Sequence, residues 1–144
     1  MKILVLNGPN LNLLGTRDKN KYGALSLKNI YDLIEKEFPE IQFSFFQSNL
    51  EGELIDKIQT AGELFNGIII NPGGYGHTSV AIRDALAESP LIKVEVHLSH
   101  LVNRESFRQE LITASACDGY LSGFKEHGYL AAVYLILKLS GERK

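Results

Sequence analysis

The stretch Gly67-Ile68-Ile69-Ile70-Asn71-Pro72-Gly73-Gly74-Tyr75-Gly76-His77 decides the fold. Three consecutive isoleucines leave no polar face, so the segment reads as a strand covered on both sides, the condition that helices packed over a parallel sheet produce. The run then breaks into Asn-Pro-Gly-Gly, which stops the strand and delivers polar side chains at its carboxyl end. Working outward, Ile3–Leu6, Ile41–Phe46, Ile92–Val96 and Gly119–Leu121 read as four more strands. Between them Leu27–Phe38, Gly52–Leu64, Ser79–Ala87, Arg104–Cys117 and Gly128–Leu139 read as helices. In the first of these Leu27, Ile30, Tyr31, Ile34 and Phe38 recur at three and four residues before Pro39 ends the run.

A strand–helix alternation repeated five times gives an open α/β domain of three layers, and right-handed crossovers limit its topology. The expected architecture, by fold-level analogy, is a flavodoxin-like doubly wound three-layer sandwich with a five-stranded parallel sheet in the order 2-1-3-4-5. Residues 1–144 are read as a single domain, because the length suits one core and no repeat or low-complexity tract divides it. Fifteen Lys+Arg against 17 Asp+Glu, a net charge of −2 and 44% hydrophobic residues argue against disorder and against a nucleic-acid partner. Tyr129–Leu137, the longest apolar stretch, falls short of the ~20 residues of a membrane span. The apolar start before Asn7-Gly8-Pro9 is too short for a signal-peptide core, so the expected location is the cytoplasm, with no membrane partner. Cys117, the one cysteine, forms no internal disulfide and reads as a small buried hydrophobe.

The carboxyl edge of such a sheet is where ligands bind. There the first strand opens into a connection of twenty residues, Asn7–Ser26, where ~2–6 are usual; long ordered loops of this kind are disproportionately functional. The second strand delivers Gln47-Ser48-Asn49 and the third Asn71 to His77. In the fourth, Lys93-Val94-Glu95-Val96-His97-Leu98-Ser99, period two puts Val94, Val96 and Leu98 on one face and Glu95, His97 and Ser99 on the other. A carboxylate beside an imidazole fixes its tautomer, the pattern of an acid/base group with its orienter. The same pair would serve as a satisfied structural contact, and this strand alone leaves both readings open.

Several familiar sites are missing: GxxxxGK[ST], GxGxxG after the first strand, HExxH, GxSxG and structural-zinc spacing. Cofactor-free acid/base chemistry on a small polar molecule is what remains.

Four segments then carry a resemblance: NGPNLNLLGTR (Asn7–Arg17) followed by Tyr22-Gly23, QSNLEGELID (Gln47–Asp56), IINPGGYGHTSVAIRDAL (Ile69–Leu86) and EVHLSHLVNRESFR (Glu95–Arg108). In order and spacing they resemble the type II 3-dehydroquinate dehydratases. The resemblance implies a hydro-lyase of the shikimate pathway of aromatic amino acid biosynthesis, which removes water reversibly from 3-dehydroquinate to give 3-dehydroshikimate. The course implied is an anti elimination through an enol or enolate, with no cofactor, metal or imine.

By motif position the resemblance implies Tyr22 as proton acceptor, Arg17 as its activator and transition-state stabiliser, and His97 as proton donor with Glu95 as its orienter. Asn10 corresponds to the residue associated with the water at the enolate oxygen, although beside Pro9 it would also suit an Asx-type turn. A phenol of ordinary pKa ~10 stays protonated at neutral pH, so a phenolate base needs a permanent cation beside it. For substrate binding the resemblance implies Asn71, His77, Asp84, Leu98, Ser99 and Arg108. Arg104, one helical turn before Arg108, could assist in binding, although a surface ion pair is the preferred reading. A homododecamer, a tetramer of trimers in which Asp84 reaches a neighbouring site, is a further implication.

Gly74, Gly76 and His100 depart from the family's more usual Ala, Thr and Asn. Two rivals keep part of the pattern: a non-catalytic flavodoxin-like module, which would not need Arg17, Tyr22, Glu95 and His97 together, and another cofactor-free lyase acting on a related cyclic polyol acid.

Overall fold

A computed structural model describes residues 1–142. Five strands, β1 (Lys2–Asn7), β2 (Gln42–Gln47), β3 (Gly67–Asn71), β4 (Ile92–His97) and β5 (Gly119–Ser122), form one parallel sheet in the order 2-1-3-4-5. The expected topology is therefore observed. Four main helices cover it: α2 (Leu27–Glu37), α3 (Glu51–Ala61), α4 (Val80–Glu88) and α5 (His127–Glu142), with a single-turn α1 (Lys19–Tyr22) in the long first connection.

The two layers of core follow from the side-chain period of the strands. Ile3, Val5, Ile69, Val94 and Val96 point to one face, where Ile30 and Ile34 of α2 and Tyr129, Val133 and Ile136 of α5 meet them. Leu4, Leu6, Ile68 and Ile70 point to the other, against Leu54 and Ile58 of α3 and Ile82 and Leu86 of α4. Local chemistry sets the helix starts. The Ser26 hydroxyl accepts from Asn29 N–H at 3.1 Å in a capping box, and Ser79 accepts from Ile82 N–H at 2.9 Å.

Each strand runs one residue beyond its apolar run and ends on a polar side chain: Asn7, Gln47, Asn71, His97 and Ser122. Register places Asn7 beside both Gln47 and Asn71, so these polar ends form one row along the carboxyl edge.

One expected element is not there. The helix read over Arg104–Cys117 is instead an irregular strap with 3₁₀ turns at Ser106–Gln109 and Thr113–Ala116, preceded by another at Leu101–Asn103. Its polar groups are spent on bonds outside a helical ladder. Ile112 N–H donates to the Gly76 carbonyl at 2.9 Å, Gln109 Nε2 to the Leu101 carbonyl at 2.7 Å, and the Ser115 hydroxyl to its own backbone at Ile112. Short hydroxyl side chains that find such partners compete with helix formation.

Gly8, just past β1, is the tightest point of the edge. Its N–H donates to the Asn71 carbonyl at 2.7 Å, and a Cβ there would lie 2.3 Å from the Pro72 carbonyl oxygen. Gly8→Ala must displace backbone rather than a mobile side chain. The expected cost is about 1–3 kcal/mol or more, read as a lower midpoint in thermal or urea unfolding; an unchanged midpoint would show that the two loops are not rigidly apposed.

Candidate active site

Two of the polar strand ends, Asn71 and His97, open into a pocket lined also by Asn10, Arg17, Tyr22, His77, Leu98, Ser99 and Arg108, together with Arg104. Nine of the residues singled out from sequence thus meet in one place.

β4 supplies the centre. His97 Nε2 lies 2.6 Å from Glu95 Oε1, both side chains buried. A carboxylate can only accept, so Nε2 carries the hydrogen and Nδ1 is the nitrogen left for a ligand. The second Glu95 oxygen accepts from the Thr113 hydroxyl at 2.6 Å. Both carboxylate oxygens are therefore bonded in a site without solvent, as a buried charge requires.

His77 comes from the turn after β3. Its Nδ1 donates to the Glu110 carbonyl at 2.7 Å, which makes Nε2 an acceptor. Its pKa is lowered, first by burial; the carbonyl and the Glu95 charge oppose that shift, while His97 and Arg108 add to it. Its ring centroid stands 5.8 Å from that of His97. Two imidazoles thus stand side by side, each with one ring nitrogen bonded to a protein oxygen and the other left for a ligand.

The long first connection is anchored by buried Leu11 and Leu14, and it brings Arg17 and Tyr22 together. The Arg17 guanidinium lies 3.8 Å from the centre of the Tyr22 ring, a cation–π contact, and that of Arg104 lies 5.2 Å from it. Asn10 takes a left-handed backbone, φ 70°, and its N–H donates to Asn49 Oδ1 at 3.0 Å. Its own side chain makes no capping bond to the following 3₁₀ turn, so the turn reading does not consume its carboxamide.

Arg104 is the residue whose placement sequence reading missed. It is no surface ion pair on a helix: only 9% of its side chain is exposed, Nη1 donates to the Ser99 hydroxyl at 3.1 Å, and its buried Nε has no hydrogen-bond partner. Glu105 lies 3.6 Å from that Nε, near enough for charge but too far for a hydrogen bond, and clasps Arg108 at 2.7 Å. Thr113 and Tyr129 were missed as well. Tyr129 is fully buried, donates to Asn7 Oδ1 and accepts from Asn71 Nδ2 at 3.1 Å, while Asn71 Oδ1 takes Gly73 N–H at 3.2 Å. Asn71 is thereby fixed with one amide hydrogen to spare. The apolar run of α5 holds two tyrosines, Tyr129 and the exposed Tyr134, and the sequence pattern alone does not tell them apart.

Asp84 is the exception among the expected binding residues. It sits on α4 outside the pocket, its side chain 62% exposed and 3.2 Å from Arg83. His100 borders a separate groove, and Gly74 faces open space. A Cβ at Gly76, by contrast, would lie 3.2 Å from His97 Cε1. Cys117, expected to be buried, is only partly so, packed against the core layer of α3 and α4, and burial is the chief cause that pushes its thiol up to about 12, which disfavours the thiolate. Among the described residues no group of side chains is arranged to hold a metal ion, and no helix is long and apolar enough to cross a membrane.

The family model described as "Dehydroquinase class II" matches residues 1–137. The chain belongs to that family. A relative from Clostridium perfringens, named 3-dehydroquinate dehydratase, is 52% identical over 136 residues, covering 92% of this chain and 94% of its own. Another of that name from Thermotoga neapolitana is 45% identical, covering 99% and 98%. The solved type II dehydroquinase from Butyrivibrio crossotus superposes with a TM-score of 0.91 at 46% identity, over 94% of this chain and 97% of that one. The four motifs that carried the resemblance lie within the matched span of this dehydroquinase.

The lowered pKa of His77 has a consequence for stability. Below about pH 6.5 the unfolded chain binds a proton at this histidine more readily than the folded one, so stability falls as pH drops through that value. Urea unfolding at pH 7 and pH 5.5 should show a smaller acid-side loss in His77→Gln than in the parent; equal losses would remove His77 as a contributor.

Proposed function

We propose that this dehydroquinase removes water from 3-dehydroquinate to give 3-dehydroshikimate, a hydro-lyase reaction of the shikimate pathway, and that Tyr22 and His97 divide the proton transfers between them. The observation that carries this reading is the meeting, in one pocket, of a guanidinium-flanked tyrosine and a carboxylate-held histidine.

The Tyr22 phenolate takes the proton from C2. Arg17 and Arg104 supply fixed positive charge at the ring, so negative charge passes from phenolate to substrate without leaving a cationic neighbourhood. The electron pair moves into the C3 carbonyl, and the enolate oxygen meets a water held at Asn10. Collapse of the enolate expels the C1 hydroxyl, which takes the Nδ1 proton of His97 in its imidazolium form and leaves as water, returning the ring to the neutral Nε2–H tautomer that Glu95 holds. The group that takes the proton at C2 and the group that gives one at C1 are different, as suits an anti course.

Binding follows the donor set. Ser99, whose oxygen already accepts from Arg104, keeps its own hydrogen for the substrate carboxylate, with the Leu98–Ser99 backbone and the spare amide hydrogen of Asn71 beside it. His77 Nε2 accepts from a ring hydroxyl, and Arg108, clasped by Glu105, donates to one. The lone Nε of Arg104 adds positive charge for a monoanionic substrate. Asp84 contributes to a neighbouring copy's pocket within a trimer, four trimers making a dodecamer.

Purified protein with 3-dehydroquinate and a chelator should generate the ultraviolet absorbance of the conjugated enone; no turnover would sink the assignment. Tyr22→Phe and Arg17→Ala should each lose about 10²-fold or more of kcat with unchanged folding, since each removes a group that acts in the transition state. Near-normal turnover in either refutes its role. For assembly, sedimentation should give a mass many times the 16.0 kDa chain; a fully active monomer would dispose of the shared site.

A further inference from the structure

We propose that Thr113 is a positioning residue for the elimination, acting through Glu95 on His97. The inference rests on the reading of His97 as the proton donor.

Glu95 is wholly buried and has two oxygens to satisfy. Oε1 takes Nε2–H of His97 and Oε2 takes the hydroxyl of Thr113, each at 2.6 Å. Thr113 is equally buried and comes from the strap that was expected to be a helix. Its position is set next door, where Ile112 N–H is bonded to the Gly76 carbonyl, and Gly76 in turn lies against His97 Cε1. The strap, the turn after β3 and the acid/base pair on β4 thus close a ring of contacts around one carboxylate.

The hydroxyl has a definite task in that ring. Without it, Oε2 would be a buried charged acceptor with no donor, and the carboxylate could relieve the deficit by turning or by taking up a proton. Either response loosens the acceptor that fixes the His97 tautomer with Nδ1 toward the pocket. Outer-shell hydrogen bonds of this kind orient an imidazole in metal sites at a cost of about 10–100-fold when removed. Thr113 does not line the pocket, so substrate affinity should be indifferent to it.

The experiment compares Thr113→Val, which keeps the shape and deletes the donor, with Thr113→Ser, which keeps the donor and deletes the methyl. Valine should lower kcat about tenfold with KM within about twofold, and serine should stay within about twofold of the parent in both. Placed in a His97→Ala background, Thr113→Val should cause no further loss of kcat, because the group it positions is gone. Parental kcat in the valine variant, equal losses in valine and serine, or an undiminished tenfold loss in the His97→Ala background would each overturn the proposal. Should the valine variant fail to fold, Thr113→Ala makes the same deletion with less bulk. Parental kcat in His97→Ala alone would instead overturn the reading of His97, an outcome that does not depend on any Thr113 variant.

Discussion

A single buried carboxylate constrains much of this molecule. Glu95 lies wholly buried on β4 with no solvent to screen it, and an unpaired charge there would cost several kcal/mol. Its two hydrogen bonds, to His97 and to Thr113, remove that penalty. The second bond comes from the strap between β4 and β5, whose 3₁₀ turn at Thr113–Ala116 brings the Thr113 hydroxyl to Oε2.

A second polar network does the same work on the other face. Tyr129 sits among apolar side chains of α5 with its hydroxyl between Asn7 and Asn71, and Asn7 Nδ2 reaches the Tyr31 hydroxyl at 3.2 Å. Burial pushes the Tyr31 phenol up to about 12 and raises that of Tyr129 further in the same direction. These phenols remain neutral donors and acceptors inside the frame, whereas Tyr22 lies at the pocket wall with two guanidinium groups against its ring. Environment, more than residue type, separates the tyrosine that holds the frame from the one proposed to react.

Much of this was legible in the residues. Isoleucine runs and period two in β4 led to the layers and to the Glu95–His97 pair, because burial on a strand obeys a strict alternation. The motif stretches brought Asn10, Arg17, Tyr22, Asn71, His77, Ser99 and Arg108 to one pocket. What was not legible lies in the strap. Arg104–Cys117 carries helical spacing, and nothing local reveals that Ile112 N–H would prefer the Gly76 carbonyl or that Thr113 would face a carboxylate eighteen positions earlier. The same misreading put Arg104 on a surface, when it is folded under Tyr22 and bonded to Ser99. Asp84 is a different case: within one chain it stands away from the pocket, so its implied contact depends on a neighbour that a single chain does not contain.

The central claim is that two separate groups handle the two protons. It is tested most directly by following exchange of the C2 proton of 3-dehydroquinate with deuterated solvent in His97→Ala, alongside formation of the enone. Retained exchange with elimination slowed about 10²-fold or more is the expected result, since the base is intact and the acid is missing. Loss of exchange and elimination together would contradict the division of labour between Tyr22 and His97.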